Sequence, residues 1–195
     1  MKRHRVFIAV NLPEDIKKKL ADYQFKWPEL PCRWTKKENL HITLIFLGYL
    51  SDEELFEVCK ITKEVASRNR SFSINLKRIC YAPPQKMPPK MIWAVGEKSK
   101  ELAALKEELE NSLTNSVRFS GENRSLKNSS FSPHITLGRI RQWEFRTINP
   151  EERPIVDTDI FLSFEVNSIE VMESRLKKGG AEYTILESCN LKLET

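Results

Sequence analysis

Two of the three histidines in this chain lie in identical four-residue sequences. Residues 41–44 read His-Ile-Thr-Leu, and residues 134–137 read the same. Imidazole has an ordinary pKa of about 6.5, so it can take or give a proton at neutral pH. Two imidazoles can therefore act as general base and general acid in one reaction. The threonine hydroxyl in each copy can donate a hydrogen bond to an anionic oxygen.

Strand geometry connects the two residue types. Each copy lies in an apolar stretch that predicts a β-strand, in which successive side chains point to opposite faces. His41 and Thr43 then share one face, and His134 and Thr136 share one face of the other strand. If the two polar faces meet across a cleft, they surround a volume that suits a phosphate group. One such pair would more often be ordinary packing, but two identical copies favour catalysis. The third histidine, His4, is expected at the surface.

The remaining pattern predicts the elements that position these residues. The predicted strands are 6–12, 40–48, 72–81, 91–95, 131–140, 163–172 and 182–186. The predicted helices are 13–27, 51–69 and 100–113, of which the second begins with a capping-box sequence. Several strands follow one another without a helix between them, which indicates an α+β fold with antiparallel or mixed sheets. Neither a glycine-rich dinucleotide motif nor a phosphate-binding loop sequence occurs.

Composition narrows the class of protein. The chain has 195 residues, which suits one domain over 1–195, and its apolar runs are too short to span a membrane. Its four cysteines are scattered and no cluster of metal ligands is visible, so we expect a cytoplasmic protein without metal or cofactor. The net charge of +5 favours an anionic partner such as RNA, although many basic proteins bind none. Basic residues at 77–78 and 118–127 are candidates for an RNA-facing surface, or are simply solvated.

The paired motifs resemble those of the two-histidine (2H) phosphoesterases, in the branch of RNA 2′,3′-cyclic phosphodiesterases that is also named for 2′-5′ RNA ligation. The resemblance covers nearly the whole chain. It is carried by residues 5–13, by 33–48 with the first motif, by 131–139 with the second, and by 172–183. It implies two pseudo-symmetric lobes with helices outside, an active site in the cleft between them, and no metal.

The same resemblance implies roles for individual residues. His41 would be the proton donor to the 3′-oxygen and His134 the proton acceptor from water, leaving a 2′-phosphate. Thr43, Thr136 and Arg139 would bind the substrate, which would be RNA with a 2′,3′-cyclic phosphate end or a cyclic nucleotide. We expect a monomer. Two alternatives remain open: 2′,5′ joining of RNA ends at the same site, and a non-catalytic module that binds RNA ends.

Strand alternation places Arg139 in doubt. In a regular strand its side chain would point away from that of His134, unless Gly138 introduces a bulge. Phe46 stands at the equivalent position after the first histidine, where the same alternation predicts a core residue. Candidates for stacking on a nucleobase are Phe7, Trp34 and Trp93, each of which could equally be a packing residue.

Overall fold

The computed structural model describes residues 3–84, 86–116, 133–178 and 180–193, and the elements below lie in these ranges. The strands are β1 (His4–Asn11), β2 (Cys32–Trp34), β3 (His41–Leu50), β4 (Phe72–Ala82), β5 (Met91–Gly96), β6 (His134–Ile140), β7 (Asp157–Val166), β8 (Ser168–Lys177) and β9 (Gly180–Asn190). The α-helices are α1 (Glu14–Asp22), α2 (Asp52–Arg68), α3 (Lys100–Thr114) and α4 (Gln142–Thr147). The basic stretch 118–127 lies outside the described residues.

The strands form one continuous antiparallel sheet. Their order is β7-β4-β5-β6-β3-β1-β8-β9, with β2 added alongside β6. The pairings between named strands in the described ranges are all antiparallel. The predicted α+β class is therefore confirmed, and the sheet is antiparallel rather than mixed.

The two halves of the sheet meet where the two histidine motifs lie side by side. In the described part of the chain, β3 and β6 are joined by one register pair, Ile42 with Ile135. By contrast, β3 pairs with β1, and β6 pairs with β5, over most of their lengths. Both isoleucines are fully buried in a core that also takes in apolar side chains of α1, α2 and α3. The opposite face of the sheet, where β3 meets β6, carries the histidines and threonines of the two motifs. This arrangement is consistent with two lobes meeting at the motifs.

Local sequence explains the two long helices. The Ser51 hydroxyl accepts a hydrogen bond from the backbone N–H of Glu54, and the Glu54 carboxylate accepts one from the backbone N–H of Ser51, which together form the predicted capping box of α2. In α3, four leucines at helical spacing are buried: Leu102, Leu105, Leu109 and Leu113. The first helix is shorter than predicted, because α1 ends at Asp22 and a 3₁₀ turn continues to Lys26.

One predicted strand was wrong and one observed strand was not predicted. The predicted single strand 163–172 is instead the end of β7 and the start of β8, separated at Asn167. The short strand β2 was not predicted at all, since three residues carry too little pattern. No helix in the described ranges is long and apolar enough to cross a membrane.

Candidate active site

The two His-x-Thr pairs project from one face of the sheet. Directly opposed residues of an antiparallel pair point to the same side, and alternate residues along a strand share a side. Since Ile42 and Ile135 oppose each other and are buried, the neighbouring histidines and threonines point to the other face. All four are half-buried there: His41, Thr43, His134 and Thr136. The structure thus brings together the two motifs on which the sequence prediction rested.

Hydrogen bonds fix the orientation of the His41 ring. Its Nδ1 lies 2.7 Å from the backbone carbonyl oxygen of Asn39, and its Nε2 lies 2.9 Å from the hydroxyl oxygen of Thr43. A carbonyl oxygen can only accept, so Nδ1 carries a hydrogen and donates it. The nitrogen that remains for proton exchange is therefore Nε2, on the side of the site.

Burial makes the charged form of His41 less favourable and lowers the pKa of this imidazole. The hydrogen bond to the Asn39 carbonyl opposes this effect. The positive charges of Lys17 and His134 lower the pKa further. Burial and these charges therefore favour the neutral form of His41 in the free protein.

The second histidine lies against an aromatic ring. The ring centroids of His134 and Trp93 are 3.8 Å apart and the planes are inclined by 22°, which is a stacked arrangement. Trp93 reaches this position because it pairs with Thr136 across β5 and β6 and so points to the same face. One predicted stacking residue is thus used to contact a histidine.

A bulge in β6 resolves the orientation of Arg139. Along β5 and β6 the register passes from Ile92 with Gly138 to Trp93 with Thr136, so β6 has one extra residue at this point. After the extra residue the alternation is reversed, and Arg139 points to the same face as His134. Its guanidinium is exposed and lies 3.8 Å from the Met91 sulfur. The extra residue is Leu137, directly before the Gly138 at which a bulge was considered from the sequence.

A bulge at the equivalent place in β3 reverses the expectation for Phe46. The register with β1 passes from Ile8 with Ile45 to Ala9 with Thr43, which leaves Leu44 as the extra residue. Phe46 then points to the site face and is 64% exposed, so the prediction of a core position was wrong. The two strands thus present Phe46 and Arg139 at matching positions, five residues after each histidine.

Two aromatic side chains, Phe7 and Tyr183, lie beside His41. The centroid of the Phe7 ring lies 5.0 Å from that of the imidazole, and the Tyr183 ring is nearly perpendicular to the imidazole with its centroid 5.2 Å away. Phe7 belongs to a small apolar cluster on this face, separate from the main core, with Ala9 and Met172. Of the predicted stacking residues, Trp34 is not at the site, because it stacks on Trp27 and packs against the main core. Tyr183 was not predicted as a site residue, although it lies in the stretch 172–183 that carries part of the family resemblance.

His4 and the basic pair Lys77 and Arg78 were also considered in the sequence, and each contacts acidic side chains. His4 is buried, with Nδ1 2.8 Å from a Glu173 carboxylate oxygen and Nε2 2.9 Å from an Asp52 carboxylate oxygen, so the predicted surface position was wrong. Of the described basic pair on β4, Lys77 lies against Glu97 and Arg78 against Asp157. Within the residues that the structure describes, no group of three or more histidine, cysteine, aspartate or glutamate side chains is arranged to hold a metal ion.

Curated relatives cover almost the whole chain. A protein from Thermotoga maritima is 29% identical over 96% of both chains, and one from Aquifex aeolicus is 31% identical over 80% of this chain and 79% of its own. A third, from Methanocaldococcus jannaschii, is 28% identical over 94% of this chain and 98% of its own. All three are named RNA 2′,3′-cyclic phosphodiesterase.

Solved structures and a family model agree with these relatives. A crystal structure from Thermus thermophilus superposes with a TM-score of 0.81 at 28% identity, covering 98% of this chain and all of that one. Escherichia coli LigT in complex with 3′-AMP superposes with a TM-score of 0.76 over 97% of this chain and 99% of its own, and at 23% identity it supports the fold alone. The model of LigT-like phosphoesterases matches residues 10–93, which include the first histidine motif. The chain therefore belongs to the LigT-like family of two-histidine phosphoesterases.

Proposed function

We propose that this protein is an RNA 2′,3′-cyclic phosphodiesterase, with His41 and His134 as its catalytic acid and base. The observation that carries the proposal is the convergence of two His-x-Thr pairs on one face of the sheet, across the pair Ile42 and Ile135. The names of the relatives in Thermotoga, Aquifex and Methanocaldococcus support the substrate class.

The reaction needs two proton transfers on opposite sides of the phosphorus. His134 takes a proton from a water molecule as the water oxygen forms a bond to phosphorus. The bond between phosphorus and the ribose 3′-oxygen breaks, and Nε2 of His41 gives its proton to that oxygen. The products are a 2′-phosphate and a free 3′-hydroxyl. Two imidazoles held apart on adjacent strands can serve the two sides of such an in-line displacement.

His41 must carry a second proton before it can act as the acid. Burial opposes this in the free protein by lowering the pKa of the imidazole. A cyclic phosphate is anionic, and an anion bound beside His41 favours the charged ring. Substrate binding therefore prepares the acid, while the hydrogen bond from Nδ1 to Asn39 keeps Nε2 directed to the site.

Hydroxyl and guanidinium groups can stabilise the phosphate oxygens. Thr43 and Thr136 lie on the same face as the histidines and each can donate one hydrogen bond. Arg139 reaches this face through the β6 bulge, and its planar guanidinium suits phosphate oxygens. The hydrogen bonds from these donors become stronger as negative charge develops on the phosphate oxygens in the transition state. Together they supply anion stabilisation without a metal ion, and we propose that the enzyme needs none.

A product assay in the presence of a chelator tests this proposal. RNA ending in a 2′,3′-cyclic phosphate is incubated with the enzyme in excess EDTA, and the position of the phosphate in the product is determined by nuclear magnetic resonance. We expect a 2′-phosphate and an undiminished rate. A rate that disappears in EDTA and returns with added Mg²⁺ or Zn²⁺ would contradict the metal-free mechanism, and a 3′-phosphate product would contradict the assigned leaving oxygen.

We also propose that residues 1–195 form one bilobal domain that acts as a monomer in the cytoplasm. One chain supplies both histidines, so the site is complete without a second copy. A single main core joins side chains from both halves of the sheet. The cytoplasmic location rests on the pattern of four scattered cysteines. Light scattering during size-exclusion chromatography measures the oligomeric state directly.

A further inference from the structure

The indole of Trp93 covers one face of the His134 imidazole. The centroids of the two rings are 3.8 Å apart and their planes differ by 22°, so the indole face is directed at the imidazole rather than at solvent. The backbone holds this arrangement, since Trp93 pairs with Thr136, two residues along β6 from the histidine. A nucleobase cannot stack on an indole face that the imidazole already occupies.

The aromatic neighbours of His41 are arranged differently. The Tyr183 ring is nearly perpendicular to that imidazole, at 87°, and the Phe7 ring is tilted at 36° with its centroid 5.0 Å away. The face of an aromatic ring carries negative electrostatic potential and attracts a cation, and indole is the strongest ring in this respect. Of these three ring contacts, the stack at His134 has the shortest distance between centroids, and it places an indole face against the imidazole.

We propose that Trp93 is a positioning residue for His134: it fixes the plane of the ring and stabilises the imidazolium that forms when His134 takes a proton from water. The effect of Trp93 on catalysis rests on the proposed function. The stabilisation of the His134 imidazolium by the indole face is a property of the free protein and can be measured without turnover.

Charged groups of three neighbouring elements act in the opposite direction from this contact. β3 contributes His41 and α1 contributes Lys17, both of which interact electrostatically within the site, and β6 itself contributes Arg139. All of these are positive or become positive, so they oppose a second positive charge. The side chains that β5 directs to this face are Met91, Trp93 and Val95, none of which is charged. The indole face is therefore the contact from β5 that favours the charged ring.

The indole nitrogen makes a clean substitution feasible. Trp93 Nε1 is buried and has no hydrogen-bond partner among the described residues. Trp93→Phe therefore retains an aromatic face, weaker than that of indole, without breaking a hydrogen bond to the rest of the fold. Trp93→Leu removes the aromatic face altogether. Trp34→Phe is the matched control, because Trp34 stacks on Trp27 and packs against the main core instead of a histidine.

The titration of His134 is followed by nuclear magnetic resonance in the free protein. The chain has only three histidines, so the His134 signal is assigned with one His134→Ala spectrum. We expect Trp93→Leu to move the His134 titration midpoint to lower pH, Trp93→Phe to move it less far in the same direction, and Trp34→Phe to leave it unchanged.

Kinetics provide the second readout. Loss of a cation–π contact should reduce kcat roughly 2- to 30-fold in Trp93→Leu. The acid-side limb of the pH profile, which requires neutral His134, should move to lower pH at the same time. A general structural defect would lower the rate without moving this limb in that direction.

The outcomes separate this inference from the proposed function. If the His134 midpoint stays in place in both Trp93 variants, the inference is wrong, whatever the activity. If Trp93→Leu does not fold, the midpoint in Trp93→Phe decides it. If the midpoint moves as expected but the wild-type protein hydrolyses no cyclic phosphate, the electrostatic role of Trp93 stands and the proposed function fails.

Discussion

Replacing Thr43 by valine should weaken catalysis without weakening the fold. The substitution exchanges one hydroxyl for a methyl group of similar size, at a half-buried strand position where β-branched residues are favoured. The lost hydroxyl lies 2.9 Å from Nε2 of His41, on the face where the phosphate is proposed to bind. The stability of the protein should therefore change little.

The size of the effect follows from the charge on the substrate. A hydrogen bond to a charged group is worth about 1.5–3 kcal/mol, against about 1 kcal/mol for a neutral pair. If the Thr43 hydroxyl donates to an anionic phosphate oxygen in the transition state, its loss should reduce kcat/KM roughly 10- to 150-fold. Thr136→Val should have an effect of the same order, because Thr136 is the equivalent residue of the second motif.

Steady-state kinetics on a 2′,3′-cyclic nucleotide, together with thermal melts, measure both quantities. Thr184→Val is the matched control, since Thr184 is an exposed residue of β9 and has no place in the proposed site. We expect that control to retain wild-type kinetics. A folded Thr43→Val variant with kcat/KM within twofold of wild type would refute the idea that this hydroxyl stabilises the phosphate.

The remaining predictions concern the pH dependence of the rate and the guanidinium of Arg139. His41 must be protonated to act as the acid and burial lowers its pKa, so kcat/KM should decline with rising pH from a lower pH than an ordinary histidine would give. The profile of kcat should decline at higher pH than that of kcat/KM, because bound phosphate favours the charged ring; the reverse order would contradict the acid role. Arg139→Gln should reduce kcat/KM roughly 10- to 150-fold, while Arg141→Gln, whose guanidinium lies against Glu144, should leave it unchanged. Equal effects of these two substitutions would remove Arg139 from the site.

Features that depend on neighbours in the sequence could be predicted. The capping box of α2 involves residues three positions apart, and the leucine stripe of α3 repeats at helical spacing. The two histidine motifs were recognisable because they are identical and because strand alternation links each histidine to its threonine. These local signals were sufficient to predict that the two histidines and the two threonines share one face of the sheet, where the active site is proposed.

Features that depend on pairing between distant strands could not be predicted. The bulges that turn Phe46 and Arg139 to the site are set by the register of β3 with β1 and of β6 with β5, and regular alternation places both side chains wrongly. His4 was misplaced for a similar reason, because its partners Asp52 and Glu173 are 48 and 169 residues away in the sequence.

The error over residues 163–172 did have a local signal. Phe164 and Val166 join the main core from even positions, whereas Ile169 and Val171 join it from odd positions, and Glu170 and Met172 are buried on the other face of β8. A single regular strand with one buried face keeps the same parity throughout. The change between Val166 and Ile169 therefore marked the turn at Asn167, where β7 ends and β8 begins.

The most direct test of the central claim is the turnover of RNA with a 2′,3′-cyclic phosphate end by His41→Ala, His134→Ala and the double variant. Acid–base groups typically contribute about 10²- to 10⁴-fold, so each single substitution should lower kcat by this order while the thermal melt stays close to that of wild type. Because the two groups act in one displacement, the double variant should lose much less than the product of the two single losses. Either single variant retaining near-wild-type kcat, with its fold intact, would contradict the account.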